Sequence, residues 1–187
     1  MKKLILLFFC AICTNCSFAQ VRVQEPEFAE QIALLTSDTT SVILERENGY
    51  IKTKAGASLY LTGIGKIKSR ITIDGIKSIS KITGSKNTKL IVKAEDNKTD
   101  PKSFINVFKF DIYKNKERRY QLAEVGTLSA TKTNNLSSVD FDAKKYGEAS
   151  YLLSLSDLTP GEYGILLGDP NKENTKNSMK ITTFTVE

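Results

Sequence analysis

Apolar residues recur at alternate positions along most of the chain, the period of a strand with one face buried and the other wet. Residues 41–46 (SVILER) and 50–53 read as a hairpin closed by Glu47-Asn48-Gly49, since Asn-Gly accepts the positive φ angles of a tight turn. Further short strands are expected at 59–61, 68–73, 78–82 and 89–94, with Asp74-Gly75 as a turn. Residues 27–35 suit a helix or a strand. Their β-rich neighbours favour the strand, which would supply a pairing partner.

Beyond the polar stretch 95–102 the alternation sharpens. Phe108, Phe110 and Ile112 interleave with Lys109, Asp111 and Tyr113, and 118–125 is expected to pair back through 114–117. Val139, Phe141 and Ala143 alternate with Asp140 and Asp142, and strands follow at 151–155, 162–167 and 179–186. About a dozen short strands with turn signals roughly every 8 to 12 residues predict an all-β fold, an antiparallel β-sandwich. It would form one domain or two β lobes, a basic one at 20–94 and a second at 103–187 ending in a hairpin.

One local motif refines this expectation. Leu158-Thr159-Pro160-Gly161-Glu162-Tyr163 resembles the opening of a late strand in fibronectin type III, carboxypeptidase-regulatory-like and similar immunoglobulin-like sandwiches. Its spacing is one residue shorter than the usual fibronectin form. Pro160 and Gly161 would turn the chain, Leu158 would cap the core, and the Tyr163 hydroxyl would bond back to the backbone around the corner. The resemblance implies an immunoglobulin-like sandwich and no activity.

The first nineteen residues differ from everything after them. Lys2 and Lys3 precede an apolar run at 4–12, and Ser17-Phe18-Ala19 offers a small-x-small cleavage site, the layout of an export signal. Export to the periplasm or beyond a bacterial cell is therefore expected. The alternative is a lipid anchor on Cys16, although Cys13-Thr14-Asn15 lacks the Leu and the small residue that usually precede such a cysteine. No apolar run approaches the roughly 20 residues that span a bilayer, so no transmembrane segment is expected.

All three cysteines, Cys10, Cys13 and Cys16, fall inside that segment, and the chain has no His and no Trp. The remainder must fold without disulfides. Zinc or haem would have to be held without thiolate or imidazole, which argues against both, while calcium needs only oxygens. Asp96-Asn97-Lys98-Thr99-Asp100 faintly resembles a calcium loop but lacks the sixth-position glycine and has Val107 where the twelfth-position glutamate belongs. No cofactor or metal is expected.

Other motifs are weaker still. Ser78-Ile79-Ser80-Lys81 matches S-x-x-K, yet in a strand Ser78 and Lys81 point to opposite faces. Asp140 and Asp142 share one strand face and would be the nearest thing to a carboxylate pair for a hydrolase. Asp38-Thr39-Thr40 resembles a bacterial O-glycosylation acceptor.

Charge is where the chain is most uneven. Between Tyr50 and Lys93 stand ten basic residues against one acid, Asp74. Lys66, Lys68 and Arg70 share one strand face, as do Lys52 with Lys54 and Lys89 with Lys93. If these strands lie in one sheet they form a cationic surface suited to an anionic polysaccharide, a lipid head group or an acidic protein. Nucleic acid fits less well, because only Tyr50 and Tyr60 are available for stacking. The expected function is thus an exported, non-catalytic binding or envelope-associated structural module. The alternatives are a protein–protein interaction subunit of a secreted assembly or a carboxylate-based hydrolase.

Overall fold

The computed structural model describes residues 23–83, 86–126, 129–132, 138–168 and 178–187, so the first nineteen residues, expected to be an export signal, and their three cysteines lie outside the described residues. The first half holds β1 (Ile32–Leu35), β2 (Ser41–Ile43), β3 (Arg46–Ala55), α1 (Ala57–Thr62), β4 (Lys66–Asp74), β5 (Lys81–Ile82) and β6 (Asn87–Lys93). After a 3-10 turn at Pro101–Ser103 come β7 (Ile105–Lys109), β8 (Asp111–Tyr113), β9 (Glu117–Gly126) and β10 (Ser129–Lys132). The chain closes with β11 (Asp142–Tyr146), β12 (Ser150–Ser156), β13 (Gly161–Leu167) and β14 (Ser178–Val186). Among the described residues no helix is long and apolar enough to cross a membrane.

These strands form an all-β sandwich of two sheets. Five run in the order β11-β12-β6-β1-β2 and seven in the order β10-β9-β4-β3-β14-β13-β7, with β5 beside β14 and β8 beside β9. Every pairing is antiparallel except β5 with β14. Both sheets mix strands from before and after 95–102, so the basic segment and the C-terminal segment are not packed as separate sheets.

Alternation explains how the layers meet. Leu90 and Val92 of β6, with Leu153 and Leu155 of β12, face Ile165, Phe184 and Val186 across the space between the sheets. The opposite faces of β13 and β14 are buried as well: Leu166, Met179 and Ile181 pack with Phe108, Phe110, Ile71 and Ile73. The larger sheet therefore rolls over, and β4 with β9 covers the far face of β7, β13 and β14. Each fully buried Leu, Ile or Phe contributes about 1.5–3 kcal/mol to holding these cores together.

The corner before β13 is as expected. Leu158 is buried, and the Tyr163 hydroxyl donates to the Thr159 carbonyl at 2.6 Å while its ring stacks on Phe184 at 5.3 Å. Lys109 Nζ reinforces the turn by donating to the Pro160 carbonyl at 2.9 Å. The Lys114 and Asn115 turn between β8 and β9 has φ of 52° and 51°, the two positive angles of a primed hairpin turn.

Of the strand expected at 78–82 only Lys81–Ile82 forms, and two further expectations fail outright. The hairpin at Asn48-Gly49 does not form: 41–43 pairs with β1 in the smaller sheet, and Asn48 and Gly49 lie inside β3, opposite Lys180 and Met179. The glycine leaves room for the buried Ile181 side chain, whose Cδ1 would stand 2.5 Å from a Cβ on Gly49 and would have to shift. Residues 59–61 are helical, inside α1, because Gly63 takes a left-handed φ of 69° and its N–H closes the turn onto the Leu59 carbonyl at 3.1 Å.

Candidate cationic hairpin

β3 and β4 pair as an arm within the larger sheet, and Lys52, Lys54, Lys66, Lys68 and Arg70 share one face of it. Lys52 stands opposite Arg70 and Lys54 opposite Lys68. Like charges directly across a ladder repel, so this pairing needs carboxylates nearby. The next strand, β9, supplies them: Lys52 Nζ reaches Glu117 at 3.1 Å, Lys68 Nζ reaches Glu124 at 2.9 Å, and Lys66 binds the same Glu124 carboxylate.

The electrostatics follow from this sharing. Hydrogen bonds from Lys66 and Lys68 bring the Glu124 carboxyl down to about 2. Burial pushes the Glu117 carboxyl up, but the donors Lys52 and Arg119 outweigh it and hold the group below its ordinary value. Two carboxylates are thus divided among four cations. Among the described residues Lys54 and Arg70 make no ion pair at all.

Beyond Thr53 and Ser69, whose hydroxyls bond at 3.0 Å, β3 runs past its pairing with β14, which begins at Tyr50 opposite Ser178, while β4 stays paired with β9 as far as Lys66 opposite Gly126; Lys54, Lys66 and Ile67 are exposed. The ladder continues through Gly56 N–H to the Lys66 carbonyl at 2.9 Å before α1 crosses the tip. The helix is seated on Gly65, where a Cβ would meet the Leu59 backbone nitrogen at 2.8 Å. No residue of α1 is buried. Tyr60 and Leu61 are 81% and 84% exposed, and Ile64 just after the helix is 55% exposed. Beneath this tip runs a groove of about 890 Å³ whose charged lining residues are Lys54, Lys66, Lys68 and Arg70, with no carboxylate among them.

The structure does not bring all seven predicted cations together. Lys89 and Lys93 sit on β6 in the smaller sheet, because sheet membership is decided by β6 pairing with β1 and β12. Lys93 is a structural tie there: its Nζ donates to Glu25 at 2.5 Å and holds the segment before β1 near Val23, which packs with Ala33, Ile91 and Leu152. Burial raises the Glu25 carboxyl, but the bonds from Lys93 and the Ala149 N–H prevail and keep it below its ordinary range.

The remaining candidates are placed as follows. Ser78 and Lys81 do not meet: Ser78 Oγ donates to Glu162 at 2.7 Å, and Lys81 Nζ pairs with Glu187 at 2.6 Å. Asp140 has a side chain 93% exposed and is paired with Lys102 at 3.0 Å; Asp142 is exposed on β11. Asp96 accepts the Lys98 N–H, and Asp100 caps the 3-10 turn by accepting the Lys102 N–H at 3.0 Å. The Asp38-Thr39-Thr40 turn is exposed, with the Thr39 and Thr40 N–H groups donating to Ser37 Oγ.

One polar constellation was missed. Arg118, fully buried on the inward face of β9, directs all five guanidinium hydrogens to acceptors. Its Nη1 and Nη2 grip the Glu47 carboxylate at 3.0 and 2.6 Å, Nη1 also reaches Ser78 Oγ at 2.7 Å, and Nε and Nη2 reach the Gly75 and Asp74 carbonyls at 3.2 and 3.4 Å. Glu162 lies 3.8 Å from Nη1 and accepts from the Ser78 N–H and hydroxyl and from Thr185 Oγ1. This clamp ties β3, β9, β13, β14 and the loop after β4 at the polar end of the rolled sheet.

The apolar tip was missed too. Its usable sign was the glycine spacing at 56, 63 and 65 around a short apolar run, which suits a capped turn of helix better than a strand. Compared with known proteins, the chain matches no family model, no curated protein and no solved structure.

Proposed function

We propose that this chain is an exported, non-catalytic β-sandwich that binds a polyanionic partner through the cationic arm of β3 and β4. The observation that carries the reading is the groove lined by Lys54, Lys66, Lys68 and Arg70, of which Lys54 and Arg70 have, among the described residues, no carboxylate to release before meeting an anion. Four like charges along one wall raise the local potential and make capture salt-dependent. A rigid sheet suits this work, since the cations are spaced by strand register before a ligand arrives.

The test is charge reversal. Replacing Lys66, Lys68 and Arg70 by Glu should remove binding to a sulfated polysaccharide and to anionic vesicles while leaving the far-UV circular dichroism intact. Binding that survives the three reversals, or that is indifferent to salt from 50 to about 500 mM, refutes the reading.

A second reading, a subunit that recruits another protein by its sheet edge, is favoured by β2. This three-residue edge strand exposes Val42 and Ile43, side chains that normally seek cover. Under that reading Val42→Lys would weaken partner capture and the arm reversals would not.

A further inference from the structure

The arm carries two surfaces in succession: a cationic collar and, beyond it, an apolar tip. Tyr60 and Leu61 stand outward on a turn of helix with no buried residue, Ile64 stands exposed just after it, and Ile67 adds a fourth exposed apolar residue at the base. A hydrated polysaccharide has no use for such a tip, since its sulfates and hydroxyls ask for cations and hydrogen-bond donors. An anionic bilayer matches both parts at once. Apolar side chains enter the boundary between head groups and acyl chains, while lysines behind them reach lipid phosphates on flexible stems. Tyrosine suits that boundary, having an apolar ring and a polar end.

We infer that the partner of the arm is the surface of an anionic lipid bilayer, with Tyr60, Leu61 and Ile64 dipping below the head groups and Lys54, Lys66, Lys68 and Arg70 ringing them at phosphate level. This rests on the polyanion reading above and narrows it to one class of surface. The tip is open to a surface: no residue of α1 is buried, and Lys54, Lys66 and Ile67 at its base are exposed although β4 stays paired with β9 there. The helix is firmly seated for insertion: Gly65 receives Leu59, the Thr62 hydroxyl donates to the Ser58 carbonyl at 2.8 Å, and the Gly63 N–H closes the last turn. Lys54 and Arg70, which pair with no carboxylate among the described residues, can take phosphates without breaking a bridge seen there.

The absence of tryptophan makes the test direct. Tyr60→Trp places a single indole at an exposed position where it disturbs no packing. With vesicles of equal parts phosphatidylglycerol and phosphatidylcholine, its emission should move to shorter wavelength and be quenched by lipids brominated on the acyl chains. Pure phosphatidylcholine should give little of either effect. Adding Leu61→Asp should abolish the shift with the thermal midpoint unchanged, and each Glu introduced at Lys66 or Lys68 should weaken partitioning on the order of tenfold. Co-sedimentation with the anionic vesicles but no shift and no quenching overturns the insertion and leaves the polyanion reading standing. The same holds if vesicles are ignored while a sulfated polysaccharide column retains the protein through Lys66 and Lys68. Failure to bind either polyanion removes both.

Discussion

β4 and β9 run side by side, and their two ends handle positive charge in opposite ways. Near one end Ile73 pairs with Arg118, and the guanidinium is enclosed with two carboxylates, Glu47 and Glu162, and a serine. Towards the other end Lys68 pairs with Glu124, and that one carboxylate serves two exposed ammonium groups. Inside, acids outnumber the base; outside, bases outnumber the acids. Water is the reason for the difference. A buried ion loses several kcal/mol of hydration and must be surrounded by partners, whereas an exposed lysine keeps its hydration and can wait unpaired. The buried end therefore serves the fold, and the exposed end has charge to spare for a partner.

The comparison breaks most visibly at Arg118. Arg118→Met would leave Glu47 and Glu162 facing each other without a cation, and should cost about 3–5 kcal/mol in urea unfolding. A loss under about 1 kcal/mol would mean that water reaches the clamp and that its ends are not so different. Combining Arg118→Met with Glu47→Gln and Glu162→Gln should recover part of the loss, because no unpaired charge then remains. Ser78→Ala sits one step lower. It removes a donor to Glu162 and an acceptor of Arg118, and about 1–3 kcal/mol is expected by the same measurement.

How much of this was legible depends on the range over which each feature is decided. The Tyr163 corner was readable because Leu158, Pro160, Gly161 and Tyr163 make their turn and its hydrogen bond within six residues of chain. Strands such as β4, β6, β12 and β14 were readable from alternation. Gly49 misled, because the reason for its glycine is Ile181, on a strand that joins β3 only in the folded sheet. Arg118 and Arg119 look alike in sequence; only the carboxylates brought by β3 and β13 show that the first is inside, while the second stacks on exposed Tyr113, its guanidinium carbon 3.4 Å from the ring centre. Sheet membership is equally non-local, which is why Lys89 and Lys93 were grouped with an arm they do not join. The cationic arm itself was half legible, its lysines from parity, its tip hidden in three apolar residues too short to show a period.

At the exposed end the expected effects on stability are small and those on charge are sharp. Lys66→Ala with Lys68→Ala should change unfolding free energy by less than about 1 kcal/mol, since bridges in water are weak and screened by salt.

The same pair of substitutions should move the Glu124 titration clearly, followed by NMR through its side-chain carboxyl carbon. In the native protein its midpoint should lie at about 2; without the two lysines it should return towards 4.5. The sign of the stability effect follows. A carboxyl held below its unfolded value favours the folded state fully above about pH 4.5, and that contribution is lost as pH falls towards 2. Because Glu124 is served from water-exposed lysines, 1 M salt, with its screening length of about 3 Å, should raise the midpoint as well. A Glu124 midpoint unmoved by both treatments would mean that the arm's lysines are not held against β9 and that the contrast between the two ends is one of mobility instead of stoichiometry.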